Sequence, residues 1–169
     1  MSVLIVVESL FGNTMAVARA VAAGLTDRGA DVTVLRCGEA PTEIPAEVSL
    51  LVTGAPTHNL HLPNRASRTQ AAGRGAIEAD AAGLAEWIGS ATPRRDLRVV
   101  TFDTTTGGAF TGSAAKAAAK LLRRRGFGAP EQGPGFIVTG TPGPLRDGEV
   151  ERARTWGAGL LSGAEAPSR

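Results

Sequence analysis

The sequence predicts an α/β protein: a doubly wound, five-stranded parallel sheet in the order 2-1-3-4-5 with helices on both faces. Three observations predict it. Apolar runs at 3–7, 32–35, 48–52, 97–102 and 136–138 are continuous rather than alternating, as suits parallel strands covered on both faces. Segments of helical character separate most of these runs. The 169 residues suffice for one domain with a substantial core, and neither a linker nor an internal repeat divides them.

The first run leads into Glu8-Ser9-Leu10-Phe11-Gly12-Asn13-Thr14, after which an alanine-rich helix is expected over 15–28. The second strand, 32–35, ends near Cys37. Residues 39–47 include Pro41 and Pro45 and read as a short, irregular connection to the third strand, 48–52. A long aperiodic stretch, 56–79, follows. Loops longer than about 12–15 residues are usually functional or mobile, and 65–73 holds enough helix formers to be partly helical. A helix at 81–88, the fourth strand at 97–102 and a helix at 113–125 come next. The closing Arg123-Arg124-Arg125 complements the dipole of that last helix. The fifth strand, 136–138, and a helix at 148–161 complete the domain, and the tail 163–169 is expected to fray.

Composition excludes several functions. The formal net charge is only +2, nearly all the basic residues are arginine, and no aromatics are interleaved with them, so no nucleic-acid partner is expected. No apolar run approaches the roughly 20 residues that span a bilayer, so membrane insertion is not expected either. The N-terminal apolar run is too short for a signal-peptide core and is interrupted by Glu8. The lone Cys37 excludes an internal disulfide and suits a reducing, cytoplasmic setting.

The turn after the first strand carries the chemistry. A helix N-terminus presents unsatisfied N–H groups and the positive end of the dipole to an anion. Ser9, Asn13 and Thr14 add side-chain donors, while Gly12 lets the backbone approach a phosphate closely. Leu10 and Phe11 complete this turn. The alternative for these residues is a plain helix cap at Ser9 or Asn13.

In register, Ser9, Gly12, Thr14, Ala18 and Val21 resemble the flavodoxin signature, an N-terminal loop that holds the phosphate of flavin mononucleotide (FMN). Val7 departs from it, because flavodoxins usually carry an aromatic residue there. A second loop, Gly54-Ala55-Pro56-Thr57-His58-Asn59, is similar to the family's Gly-x-Pro-Thr-Tyr/His loop. By that resemblance, Thr57 helps to hold the phosphate or ribityl chain, and His58, Asn59 and Leu60 lie against the flavin ring. A third loop, Asp103-Thr104-Thr105-Thr106-Gly107-Gly108-Ala109-Phe110, has short hydroxyls and pliant backbone suited to the pyrimidine edge. The flavodoxin order is the same 2-1-3-4-5, with ligands beyond the carboxyl ends of the strands at the β1/β3 switch point.

The expected cofactor contacts are therefore Ser9, Leu10, Phe11, Gly12, Asn13, Thr14, Pro56, Thr57, His58, Asn59, Asp103, Thr104, Thr105 and Gly108. Classical flavodoxins sandwich the ring between aromatics and are acidic. This chain has no tyrosine, and Trp87 and Trp156 fall in helices, where core packing is expected. Only Phe11, His58, His61 and Phe110 are aromatic candidates near a ring. Arg65, Arg68 and Arg74 lie in the long stretch beside the site, either solvated on a mobile loop or serving in charge tuning or partner docking.

No residue has the setting of a catalytic acid, base or nucleophile. His58 and His61 lack the cysteine or carboxylate that would complete a metal site. A Walker loop, a Gly-x-Gly-x-x-Gly turn, the Cys-x5-Arg of a tyrosine phosphatase and the acidic set of a receiver domain are all absent. Three functions remain open. The first is an FMN-binding electron carrier between a reductase and an acceptor. The second is an FMN-dependent oxidoreductase, such as a quinone reductase, with the long stretch forming a substrate pocket. The third is a flavodoxin-like interaction module without flavin.

Overall fold

A computed structural model describes residues 1–58, 60–77, 81–108 and 112–162. The chain forms β1 (Ser2–Val7), α1 (Asn13–Thr26), β2 (Asp31–Arg36), β3 (Val48–Pro56), α2 (Arg65–Ala72), α3 (Leu84–Ser90), β4 (Arg98–Thr105), α4 (Ala114–Arg125), β5 (Glu131–Ile137) and α5 (Glu149–Gly159). The sheet order is β2-β1-β3-β4-β5, and every pairing is parallel. That is the expected doubly wound topology. All five carboxyl ends therefore open on one edge, where loops can converge.

Each face of the sheet buries its own core. On one, α1 and α5 cover Val3, Ile5, Val52, Val100 and Phe102. On the other, α3 and α4 cover Leu4, Val6, Leu51 and Val99. Alternation of side chains along each strand produces the split. Trp87 is buried and donates its indole N–H to the Pro41 carbonyl at 3.2 Å. Trp156 meets Phe102 and Phe136 edge-on, with ring centroids 6.1 and 6.0 Å away. Both tryptophans are core residues.

The strands outrun their apolar runs where small polar residues are buried in the ladder. β3 continues through Thr53, Gly54 and Ala55 to Pro56 against β4, which itself reaches Thr105. β5 begins at Glu131 rather than 136 because it is an edge strand, where Pro134 costs no ladder hydrogen bond. The register shifts across that stretch. Within the long stretch, α2 spans Arg65–Ala72, and Asn64 with Ser67 forms its capping box. The 163–169 tail lies outside the described residues.

Candidate cofactor site

The turn after β1 enters α1 through Gly12, whose φ of 88° is the left-handed conformation that glycine adopts without strain. Ser9 is not the helix cap. Its Oγ accepts from the Met15 N–H at 3.1 Å and braces the turn from inside. The N–H groups of Phe11, Gly12, Asn13 and Thr14 meet no acceptor among the described residues. A run of free donors at the positive end of a helix suits an anion with several oxygens.

Threonines bind the three loops together. Thr14 Oγ1 and Thr104 Oγ1 are 2.8 Å apart and buried, joining the first loop to the end of β4. The Thr57 N–H donates to the Thr104 carbonyl at 2.8 Å. Thr57 Oγ1 accepts from the Ala114 N–H at 3.0 Å, so the second loop also caps α4. The resulting cleft is lined by Leu10, Phe11, Asn13, Thr14, Pro56, Thr57, His58, Thr104, Thr105 and Thr106. The structure thus brings together most of the residues expected from the sequence. Ser9, Gly12, Asp103 and Gly108 do not line the cleft, and Asn59 lies outside the described residues.

Asp103 is a correction of a specific kind. It follows Phe102 and precedes Thr104, so its side chain points to the opposite face of the sheet from Thr104. There its Oδ2 accepts from Ser113 Oγ at 2.6 Å and from the Ala115 N–H at 3.0 Å, securing the start of α4. Arg68 is another. It is neither solvated nor beside the cleft: its guanidinium is buried and paired with Glu8 at 3.5 Å and Glu86 at 2.5 Å. Burial raises the Glu8 carboxyl above its ordinary value, against the Leu84 N–H and Arg68. The Ile77 N–H donates to the Leu10 carbonyl at 2.7 Å, fastening the long stretch to the first loop.

His58 and His61 exchange backbone hydrogen bonds at 2.9 Å around Leu60, which has a φ of 73° and projects into solvent. Burial first, and then the nearby Arg74 guanidinium, lowers the His58 imidazole's affinity for a proton. Among the described residues no cluster of three metal-ligating side chains exists. Phe11, His58, Ser67, Gln70 and Arg74 line a side cleft of about 240 Å3 that adjoins the first. A second hollow of about 290 Å3 lies on the β2 side of β1, lined by Glu8, Ser9, Leu10, Cys37 and Arg68 but by none of Phe11 to Thr14. Burial raises the Cys37 thiol far above its ordinary value and keeps it protonated.

Sequence reasoning missed the segment after β5. Val138, Gly140, Thr141 and Pro142 close the far wall of the cleft, and Asn13 Nδ2 donates to the Pro142 carbonyl at 2.7 Å. The Gly140-Thr141-Pro142-Gly143-Pro144 run at a strand's carboxyl end was the available signal.

No family model matches the sequence, and no curated protein sequence matches it either. Solved structures do match. Oxidised flavodoxin 1 from Bacillus cereus is 15% identical with a TM-score of 0.65, over 96% of this chain and 98% of that one. A flavodoxin from the domain Archaea is 16% identical with a TM-score of 0.63, over 98% and 99%. The flavodiiron protein from Giardia intestinalis is 16% identical with a TM-score of 0.57, and there the match spans 98% of this chain but 36% of that one. Sheet order, two-faced helix layering and these neighbours together identify the chain as a protein of the flavodoxin fold.

Proposed function

We propose that the protein binds FMN in the cleft at the ends of β1, β3 and β4 and carries electrons between a reductase and an acceptor. The observation that carries this reading is the run of free N–H groups from Phe11 to Thr14 at the start of α1. The residues present fit the cofactor: a donor-only cradle for a phosphate, and a wall of short hydroxyls and backbone for the rest. Phe11 to Thr14 hold the phosphate. Pro56 and Thr57 support the ribityl chain, His58 lies against the ring, and Thr105 with Thr106 meets its polar edge. Thr104 reaches no ligand directly in this scheme; it holds Thr14 and Thr57 in register. When bound, the flavin supplies one- and two-electron chemistry, while the protein contributes binding, orientation and electrostatics.

The side cleft beside Phe11, Gln70 and Arg74 favours a second reading, an FMN-dependent oxidoreductase whose substrate enters there. Titration of the purified protein with FMN, followed by absorbance and flavin fluorescence, tests the proposal, and micromolar or tighter binding is expected. Oxidation of NADH or NADPH by the loaded protein alone, with a quinone as acceptor, would replace the carrier by the oxidoreductase. Absence of any flavin binding would leave the interaction module.

A further inference from the structure

The exposed side of α4 has a charge pattern that helix stability does not explain. Lys116, Lys120, Arg123 and Arg124 are exposed on one face, Arg125 is exposed at the helix end on the other side, and the helix contains no acidic residue. Lys116 and Lys120 are the only lysines in the chain. Arg123 to Arg125 sit in the last turn, where cations complement the dipole, but Lys116 sits in the first turn, where a cation opposes it. Lys116 with Lys120 and Lys120 with Arg124 are like-charge pairs four residues apart, which destabilise a helix. No carboxylate among the described residues pairs with any of the five. Nearby acids are committed elsewhere: Asp96 to Arg94 and Glu131 to Arg98. Arg95, also exposed and without a carboxylate partner among the described residues, flanks a shallow hollow with Arg123 and Phe127 and extends the basic surface. With a net charge of only +2 on the whole chain, this is a concentrated field rather than a general basic character.

We propose that the exposed face of α4 is the docking surface for an acidic electron-transfer protein. The stripe starts at the cofactor cleft, since the Ala114 N–H is bound by Thr57. At 1.5 Å per residue it extends about 18 Å from there. A carboxylate-rich partner seated on it places its redox centre near the cleft mouth. One helix width, no interleaved aromatics and no exposed apolar side chain on this face favour an acidic protein over nucleic acid or a lipid surface. The electron-transfer role of the partner rests on the flavin reading above; the docking itself does not.

The test is binding of the full-length protein to a plant-type ferredoxin, an acidic iron–sulfur protein, by isothermal titration, with a duplex oligonucleotide and phosphatidylserine vesicles as competing probes. Binding to ferredoxin should weaken at least about tenfold between 20 and 200 mM salt. It should weaken at least about tenfold again in Lys116→Glu/Lys120→Glu. The control Arg19→Glu/Arg28→Glu, the same change in net charge on α1 and in the turn that follows it, should leave it nearly unchanged. Circular dichroism confirms that both variants fold. Absence of ferredoxin binding, equal loss in both variants, or tighter binding to DNA or vesicles through the same lysines would overturn the proposal. None of these measurements needs flavin, so an FMN titration that fails leaves this test standing, and the converse holds.

Discussion

Asn13 does two jobs at the mouth of the cleft: its N–H belongs to the free donor run, and its Nδ2 holds the Pro142 carbonyl. Replacing the amide by a carboxylate removes that donor and sets a negative charge against a phosphate. Asn13→Asp should weaken FMN binding by at least about tenfold, since it sets a carboxylate against the phosphate and breaks the tie to Pro142; unchanged affinity would remove Asn13 from the site. Glu149 shows the opposite use of a carboxylate. It is buried, yet it accepts from Arg152 at 2.6 Å, from the Ile137 N–H at 2.8 Å and from Arg146 at 3.0 Å. Burial alone would raise it; these partners instead hold it down to about 2. A carboxyl depressed on folding contributes stability above its unfolded value, near 4.5, and loses it as pH falls towards 2. Glu149→Gln should therefore cost about 1–3 kcal/mol in urea unfolding at pH 7, with the gap closing below pH 3.

At the scale of elements, α1 and α5 approach closely enough to exclude a methyl group. A Cβ on Gly157 would lie 2.3 Å from the Val21 carbonyl oxygen, and one on Gly24 would meet the α5 backbone just as tightly. Gly157→Ala should destabilise the fold by about 1–3 kcal/mol through overpacking, measured as a shift in the urea midpoint at constant slope; a neutral effect would mean that the helices can move apart freely. The elements also show what the sequence made legible. Apolar runs marked all five strands; those of β1, β3 and β4 are buried on both faces and have little alternation to disguise them, whereas the edge strands β2 and β5 are only partly buried and gave shorter runs. The start of β5 was hidden by Gly133 and Pro134, which read as a turn unless the strand is known to lie at an edge. Asp103 was placed in the cleft with its threonine neighbours because loop composition says nothing of which face a residue takes; the ladder decides that. Arg68 belongs to a buried network with Glu8 and Glu86, and pairing across 60 residues leaves no local signature. The segment 138–142 reaches the cleft from the far side of the sheet, a contact that topology creates and periodicity cannot reveal.

For the whole molecule, charge distribution matters more than net charge. Arg68 is neutralised by its carboxylates, so of the arginines in the long stretch only Arg74 lines the cleft system. With FMN bound, a cation there would favour the anionic, fully reduced flavin and should make the second reduction potential less negative than in acidic flavodoxins. Arg74→Gln should shift that potential to more negative values in a redox titration of the FMN-loaded protein; no shift would place the guanidinium too far away to act. No helix among the described residues is long and apolar enough to cross a membrane. The architecture as a whole brings the free N–H groups, the threonine ties and the His58 loop to one edge of one sheet.

The central claim is that Phe11 to Thr14 form a phosphate cradle, and the affinity ratio of FMN to riboflavin tests it most directly. The two ligands share a ring and a ribityl chain and differ only in the phosphate. Two or more charge-assisted hydrogen bonds predict that FMN binds at least about 100-fold more tightly. Equal affinities would contradict the cradle even if flavin bound.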